Sequence, residues 1–133
     1  MHRRRIVLKF GTGILTRKGA AGLLDGAQVR RLATEVAELM GAGHECILVT
    51  SGAVGAGLPV LGLGRRPTEL DMIQACAAVG QPRLMSLYER SFAGHGLHVG
   101  QLLLTYRDID SRTRYRNART TIERLLSTRC VVP

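Results

Sequence analysis

Short apolar runs alternate along the chain with segments whose apolar residues recur at helical spacing. Residues 6–10 and 46–49 contain β-branched side chains and end at turns rich in small residues, so each run predicts a strand. The second run has no polar interruption, which is typical of a strand buried on both faces of a parallel sheet. Residues 97–105 and 130–132 predict two further strands.

Three main helices are predicted between these strands. Asp25 is a candidate N-cap for a helix that ends at Gly41. Residues 70–92 also have a helical pattern, and we expect a break near Pro82 because proline lacks the backbone N–H that a helix uses. Ser111 can cap the third helix. The apolar face of that helix is predicted to comprise Tyr115, Ala118, Ile122, Leu125 and Leu126.

The order β-α-β-α-β-α-β predicts an α/β fold, a three-layer α/β/α sandwich with a mainly parallel sheet. A length of 133 residues allows one domain at most. The last apolar run has a strand pattern with no helix after it. We therefore expect the sandwich to be incomplete and residues 1–133 to form the first portion of a larger domain.

Charge gives a first indication of partners. The formal net charge is +9, and the cations are arginines except for Lys9 and Lys18. This balance is compatible with nucleic acid, an anionic membrane or a phosphorylated ligand, and equally with a solvated surface. Aromatic residues make up 4% of the chain, too few for the stacking surface that single-stranded nucleic acid requires. Nucleic acid is therefore not an expected partner.

The apolar segments, the cysteines and the histidines indicate which kinds of protein are not expected. The chain shows no apolar segment long enough for a signal peptide or a membrane span, so we expect no membrane partner. Cys46, Cys76 and Cys130 have no paired spacing, which favours a reducing, cytoplasmic setting. The four histidines lack the spacing of metal ligands, so no metal-binding residue is predicted.

A glycine-bearing turn follows the first predicted strand at Gly11, Thr12 and Gly13, with Lys9 just before it. Glycines let backbone N–H groups approach an anion closely, and a lysine at a strand end can reach the same anion. The alternative is a turn without a ligand beside a lysine that reaches to water. The P-loop and dinucleotide-binding patterns are both absent.

A second small-residue turn, residues 50–57, follows the second predicted strand. Because ligands bind beyond the carboxyl ends of parallel strands, we expect the two turns to lie on the same rim of the sheet. The Ser51 hydroxyl and the neighbouring amides suit a carboxylate or a phosphate. The alternative is close packing between a strand and a helix, which also requires small residues.

Five segments, taken in order, resemble the glutamate 5-kinases of the amino acid kinase family. They are residues 6–16, 48–57, 75–85 with the sequence A-A-V-G-Q, 100–105, and 116–119 with the sequence R-N-A-R, and residues 131–133 with the sequence V-V-P follow them in the same order. The resemblance implies an amino acid kinase fold, of which residues 1–133 would be the N-terminal portion. It leaves the second half of that domain, and any C-terminal PUA domain, outside this sequence.

The resemblance also implies a reaction, the ATP-dependent phosphorylation of the γ-carboxylate of L-glutamate to glutamyl 5-phosphate, the first step of proline biosynthesis. Lys9 would contact the ATP phosphates and stabilise charge during transfer, and Mg²⁺ would arrive with the nucleotide. Gly11, Thr12 and Gly13 would border the phosphates, although the family commonly has serine at the position of Gly13. The full-length protein would be a homo-oligomer in the cytoplasm.

By the same resemblance, Ser51, Gly52 and Ala53 would bind the L-glutamate. Two alternatives stay open. The chain could belong to a kinase for another amino acid, such as aspartate or N-acetylglutamate. It could also be a non-catalytic fragment or interaction module that lacks the second half of the site.

Overall fold

The computed structural model describes residues 2–19, 22–131 and 133. Strands and helices alternate along it, as the pattern of apolar residues predicts. In chain order they are β1 (Arg5–Phe10), α1 (Thr12–Leu15), α2 (Gly26–Gly41), β2 (Glu45–Thr50), α3 (Ala53–Gly57), α4 (Leu70–Ala93), β3 (His98–Val99), α5 (Tyr106–Asp110), α6 (Arg112–Ser127) and β4 (Cys130–Val131).

The strands form two parallel pairs. In the first, β1 lies beside β2, with Arg5 opposite Glu45 and Phe10 opposite Thr50. In the second, β3 lies beside β4. Strand β2 also contacts β4, so the two pairs are neighbours. The parallel α/β architecture is confirmed, and its short strands leave the sheet incomplete.

The hydrophobic core lies between the first strand pair and helices α2 and α4. Alternate side chains of the strands point into it, because successive residues of a strand face opposite sides of the sheet. The largest fully buried side chains are Tyr88, Phe92, Leu15, Leu84, Val29, Val36, Val131, Cys46 and Cys76.

The opposite face of the first strand pair is more open, with Val7 and Val49 substantially exposed. Helix α6 is joined to this side through Arg5. The Arg5 guanidinium donates to Glu123 of α6 and to Glu45 of β2, each at 2.8 Å. The hydrogen bonds with Glu123 and Glu45 raise the pKa of Arg5 above its ordinary value. This bridge connects β1, β2 and α6 on the side away from the core.

Two predicted helix starts are confirmed. The side chain of Asp25 accepts the backbone N–H of Gln28 at 3.1 Å and caps α2. Ser111 Oγ accepts the backbone N–H of Arg114 at 3.5 Å and caps α6. The predicted apolar face of α6 is confirmed at four of its five positions, since Leu126 is buried and Ala118, Ile122 and Leu125 are half-buried. It is wrong at Tyr115, which is exposed.

The expected break in the second long helix is also wrong, since α4 continues through Pro82. Its packing against α3 explains why. A Cβ added at Gly80 would lie 1.8 Å from the carbonyl oxygen of Ala53, and one added at Gly57 would lie 1.9 Å from that of Cys76. The backbones of the two helices therefore touch at Cys76 and Gly80, in the two turns of α4 that precede the proline. We infer that this contact outweighs the hydrogen bond that proline removes.

The third predicted strand, residues 97–105, is regular only over β3. Pairing extends somewhat further, because Gly100 N–H donates to the carbonyl of Val131 at 2.9 Å. Leu103 and Leu104 lie beyond the regular strand and are exposed, so the prediction of a strand is wrong for this part of the segment. Of the fourth predicted strand, Val132 lies outside the described residues. Within the described part of the chain, no helix is long and apolar enough to cross a membrane.

Candidate functional site

The two small-residue turns meet at the carboxyl ends of β1 and β2. Ser51 N–H donates to the carbonyl of Phe10 at 3.1 Å. The hydroxyl oxygens of Thr12 and Ser51 lie 3.2 Å apart, within hydrogen-bond distance. The expectation that both turns share one rim of the sheet is confirmed.

The first turn continues into the single-turn helix α1. The carbonyl of Gly11 accepts the N–H groups of Ile14 and Leu15, at 3.0 and 3.3 Å. Among the described residues, the backbone N–H groups of Gly11, Thr12 and Gly13 have no acceptor. Free N–H groups in a turn attract anions. The phosphate-binding role of these residues remains a prediction.

The second turn depends on the backbone conformation of Gly52. Its φ of +111° lies in the left-handed region, where a residue with a Cβ is strained. This conformation turns the chain directly from β2 into α3. Within the described residues, the N–H groups of Gly52, Ala53 and Val54 have no acceptor. Three amides beside the Ser51 hydroxyl can therefore donate to a carboxylate or phosphate.

A cavity of about 630 Å³ opens beside this turn. The candidate residues Thr12, Ser51, Gly52 and Ala53 line it, whereas Lys9 and the two glycines of the first turn do not. Its full lining is Thr12, residues 47–55, Arg66, Gln81, residues 101–104, Ile122 and Pro133.

Lys9 lies at the margin of this cavity. Its side chain is exposed, and its register partner on β2 is Val49, which lines the cavity. No carboxylate in the described part of the chain lies within 4.0 Å of its ammonium. The ammonium is therefore available to an anion at the rim, although its catalytic role stays a prediction.

A buried tyrosine supports the end of β2. The hydroxyls of Tyr88 and Thr50 lie 2.8 Å apart, and Thr50 Oγ1 donates to the carbonyl of Ser51 at 3.3 Å. Thr50 has one proton to donate, so Tyr88 is the donor in the first contact. Burial raises the pKa of Tyr88, which keeps the phenol protonated at neutral pH. These bonds link α4 to the turn that carries Ser51.

The sequence did not single out four residues of this region. Gln81 and Gln101 stand within segments that carry the family resemblance, and that was the available signal. Arg66 lies in an irregular loop and Tyr88 in a helical pattern, and neither has a local signal for a site. They reach the site through contacts between segments that are distant in sequence.

Comparison with known proteins identifies the family of this chain. The model of the amino acid kinase family matches residues 4–133. The chain belongs to the amino acid kinase family. A solved structure of carbamate kinase from Giardia has a similar fold, with a TM-score of 0.51 and 17% sequence identity. The likeness covers 81% of this chain and 41% of the Giardia chain.

Relatives within the family include two glutamate 5-kinases. The one from Aromatoleum aromaticum is 47% identical over 123 residues, and the one from Geobacter sp. strain M21 is 48% identical over 124 residues. These alignments cover 92% and 93% of this chain, but 33% of each relative. The chain thus spans a third of the length of these relatives.

Proposed function

We propose that the chain forms the N-terminal portion of one amino acid kinase domain and contributes to the phosphorylation of L-glutamate by ATP. The observation that carries the proposal is the 3.2 Å contact between Thr12 and Ser51. This contact brings together two turns that carry free amides, one proposed for the phosphates and one for the glutamate. The transferred phosphate and the carboxylate that receives it must also lie side by side, so the geometry suits the reaction. The identity to glutamate 5-kinases supports the choice of substrate.

In the proposed reaction, an oxygen of the γ-carboxylate attacks the γ-phosphorus of ATP. A new O–P bond forms, the bond from that phosphorus to the bridging β,γ-oxygen breaks, and ADP leaves. The product is glutamyl 5-phosphate, which would enter proline biosynthesis. Catalysis of this kind is mostly positioning and electrostatic stabilisation, with little covalent work for the protein.

The two turns would have separate roles, with the first turn and Lys9 at the phosphates and the second turn at the glutamate. The amides of Gly11, Thr12 and Gly13 would receive the phosphates, and the ammonium of Lys9 would stabilise the charge that develops during transfer. The hydroxyl of Ser51 and the amides of Gly52 and Ala53, grouped in the next turn, would bind the glutamate.

Mg²⁺ would be held mainly by the phosphate oxygens of the nucleotide. The described residues contain no group of three or more histidine, cysteine or acidic side chains that could hold a metal ion. Mg²⁺ bound to a nucleotide needs few protein ligands, so these residues are compatible with a magnesium nucleotide. The ion would neutralise charge on the transferring phosphoryl group.

The proposal also includes the cellular compartment and the oligomeric state of the full-length protein. The free cysteines Cys46 and Cys76 are buried and unpaired, which supports action in the cytoplasm. The resemblance to glutamate 5-kinases supports a homo-oligomer for the full-length protein.

The test uses a chimera in which this chain replaces the segment that it matches in the Aromatoleum aromaticum glutamate 5-kinase. Lys9→Ala is compared with Lys18→Ala, the change of the chain's other lysine. Trapping the acyl phosphate with hydroxylamine measures the product. We expect Lys9→Ala to lower kcat about 100-fold or more, with a modest change in glutamate KM. Lys18→Ala should leave both constants unchanged, and an unchanged kcat for Lys9→Ala would refute the assigned role.

A further inference from the structure

The peptide bond between Ser51 and Gly52 is held from one side. Its carbonyl, that of Ser51, accepts the hydroxyl of Thr50 at 3.3 Å. Among the described residues, no backbone N–H donates to this carbonyl, and the N–H of Gly52 has no acceptor. A side chain therefore fixes the carbonyl, and the N–H of the same peptide is left for a ligand.

The planarity of this peptide couples its two ends. The bond is trans, and a planar trans peptide points its carbonyl and its N–H in opposite directions. Because the Ser51 carbonyl points to the Thr50 hydroxyl, the Gly52 N–H points away from that hydroxyl. Gly52 lines the cavity beside Ser51. The hydroxyl of Thr50 thus sets the direction of a free amide in the cavity wall.

Glycine allows this peptide to turn over. Gly52 has a φ of +111°, and glycine adopts negative φ about as readily as positive φ. Turning the peptide plane over changes the φ of Gly52 and the ψ of Ser51 and leaves the flanking β2 and α3 in place. The Ser51 carbonyl would then replace the N–H at the cavity and repel a carboxylate. A donor to that carbonyl favours the orientation that the structure has.

A buried tyrosine determines the direction in which Thr50 donates. Tyr88 of α4 is 1% exposed, and its ring stacks on that of Phe92 with centroids 6.4 Å apart. This packing fixes its hydroxyl 2.8 Å from the Thr50 hydroxyl. Burial raises the pKa of Tyr88, so the phenol keeps its proton and donates it to Thr50. The proton of Thr50 is then directed to the Ser51 carbonyl.

We propose that Tyr88 is a positioning residue that acts through Thr50 to aim the Gly52 N–H at a carboxylate of the amino acid substrate. This inference rests on the proposed function, because it assumes that the Gly52 amide binds glutamate. It assigns a residue outside both small-residue turns to substrate binding. No proton is transferred, since each hydroxyl keeps its own hydrogen and donates it to the next oxygen.

Removal of the phenol proton tests the assignment. In the chimera, Tyr88→Phe keeps the ring and should raise glutamate KM about 3- to 10-fold, because one hydrogen bond no longer holds the amide in its binding direction. The KM for ATP should change less than about twofold. Tyr106→Phe is the matched control, because Tyr106 is 81% exposed. It should leave both constants unchanged.

Variants of Thr50 separate positioning from a structural role. Thr50→Ser keeps the hydroxyl and should keep glutamate KM within about twofold, whereas Thr50→Val should raise it at least as much as Tyr88→Phe does. Adding Tyr88→Phe to Thr50→Val should raise glutamate KM no further, because both changes break the same series of hydrogen bonds. If Thr50→Val fails to fold, the comparison of Tyr88→Phe with Tyr106→Phe still decides.

Urea unfolding of every variant accompanies the kinetics, so that lost stability is measured separately from lost substrate binding. A less stable Tyr88→Phe chimera with an unchanged glutamate KM overturns the inference, because the tyrosine would then stabilise the fold alone. An equal rise in ATP KM, or additive effects on glutamate KM in the double variant, overturns it too. Loss of all glutamate phosphorylation in the unsubstituted, folded chimera would instead refute the proposed function.

Discussion

Gly80 is the position where one added methyl group should force two helices apart. In Gly80→Ala the new Cβ would lie 1.8 Å from the carbonyl oxygen of Ala53 and 2.6 Å from the backbone nitrogen of Gly57. Both are backbone atoms of α3, so neither can move aside as a side chain would. Relief requires α3 and α4 to separate, and Ala53 belongs to the turn that carries Ser51.

The expected magnitude combines two opposing effects. Overpacking of this kind costs about 3 kcal/mol, the upper end of its usual range, because the clash is with backbone. Replacing glycine by alanine inside a helix stabilises the folded state by about 1 kcal/mol, because alanine has the higher helix propensity. The net expectation is a loss of about 2 kcal/mol in the free energy of unfolding. Gly41→Ala in α2 is the control, since a Cβ there meets nothing within 4 Å.

Urea unfolding of the 133-residue chain, followed by circular dichroism, measures both variants. Gly41→Ala should be neutral or gain up to about 1 kcal/mol, which separates the two variants by roughly 2 to 3 kcal/mol. In the chimera, Gly80→Ala should also raise glutamate KM, because the cavity wall shifts with Ala53. If Gly80→Ala proves as stable as Gly41→Ala, the close packing of α3 on α4 is refuted.

Two further predictions concern stability. Thr50→Val should cost about 1 to 3 kcal/mol, because it leaves the buried Tyr88 hydroxyl without its partner, whereas Tyr88→Phe should cost about 0.5 to 1.5 kcal/mol. A double-mutant cycle by urea unfolding should give a combined loss smaller than the sum, and strict additivity would contradict the contact. Hydrogen bonding to Arg5 lowers the pKa of Glu45 below its ordinary value of 4.5, so the stability that this pair provides is present above that pH. It is lost as pH falls through the lower, folded-state pKa. Glu45→Gln should therefore flatten the acid limb of a plot of Tm against pH between neutral and about pH 3, and an unchanged limb would refute this linkage.

The features predicted correctly from sequence are those with local causes. The apolar runs of β1 and β2 identify strands without reference to the rest of the chain. Asp25 and Ser111 cap helices through amides three residues away. The meeting of the two turns follows from a general rule, because parallel strands bring their carboxyl ends to one edge of the sheet.

The features that sequence did not predict depend on contacts between distant segments. Pro82 indicates a break by its own chemistry, but the packing of Gly80 on α3 keeps α4 continuous. Thr50 and Tyr88 are 38 residues apart, and neither residue type alone indicates the bond between them. Arg66 stands in a loop without periodicity, and its position in the cavity depends on how the folded chain arranges that loop beside β2.

The most direct test of the proposed function is whether this chain supports phosphorylation of glutamate. The chimera and the remaining part of the Aromatoleum aromaticum enzyme alone would be incubated with ATP, hydroxylamine and glutamate, aspartate or N-acetylglutamate. We predict γ-glutamyl hydroxamate from the chimera and none from the remaining part alone, with glutamate preferred over both other acids. A folded chimera that binds ATP but forms no glutamyl hydroxamate, or that prefers aspartate or N-acetylglutamate, would contradict the proposal.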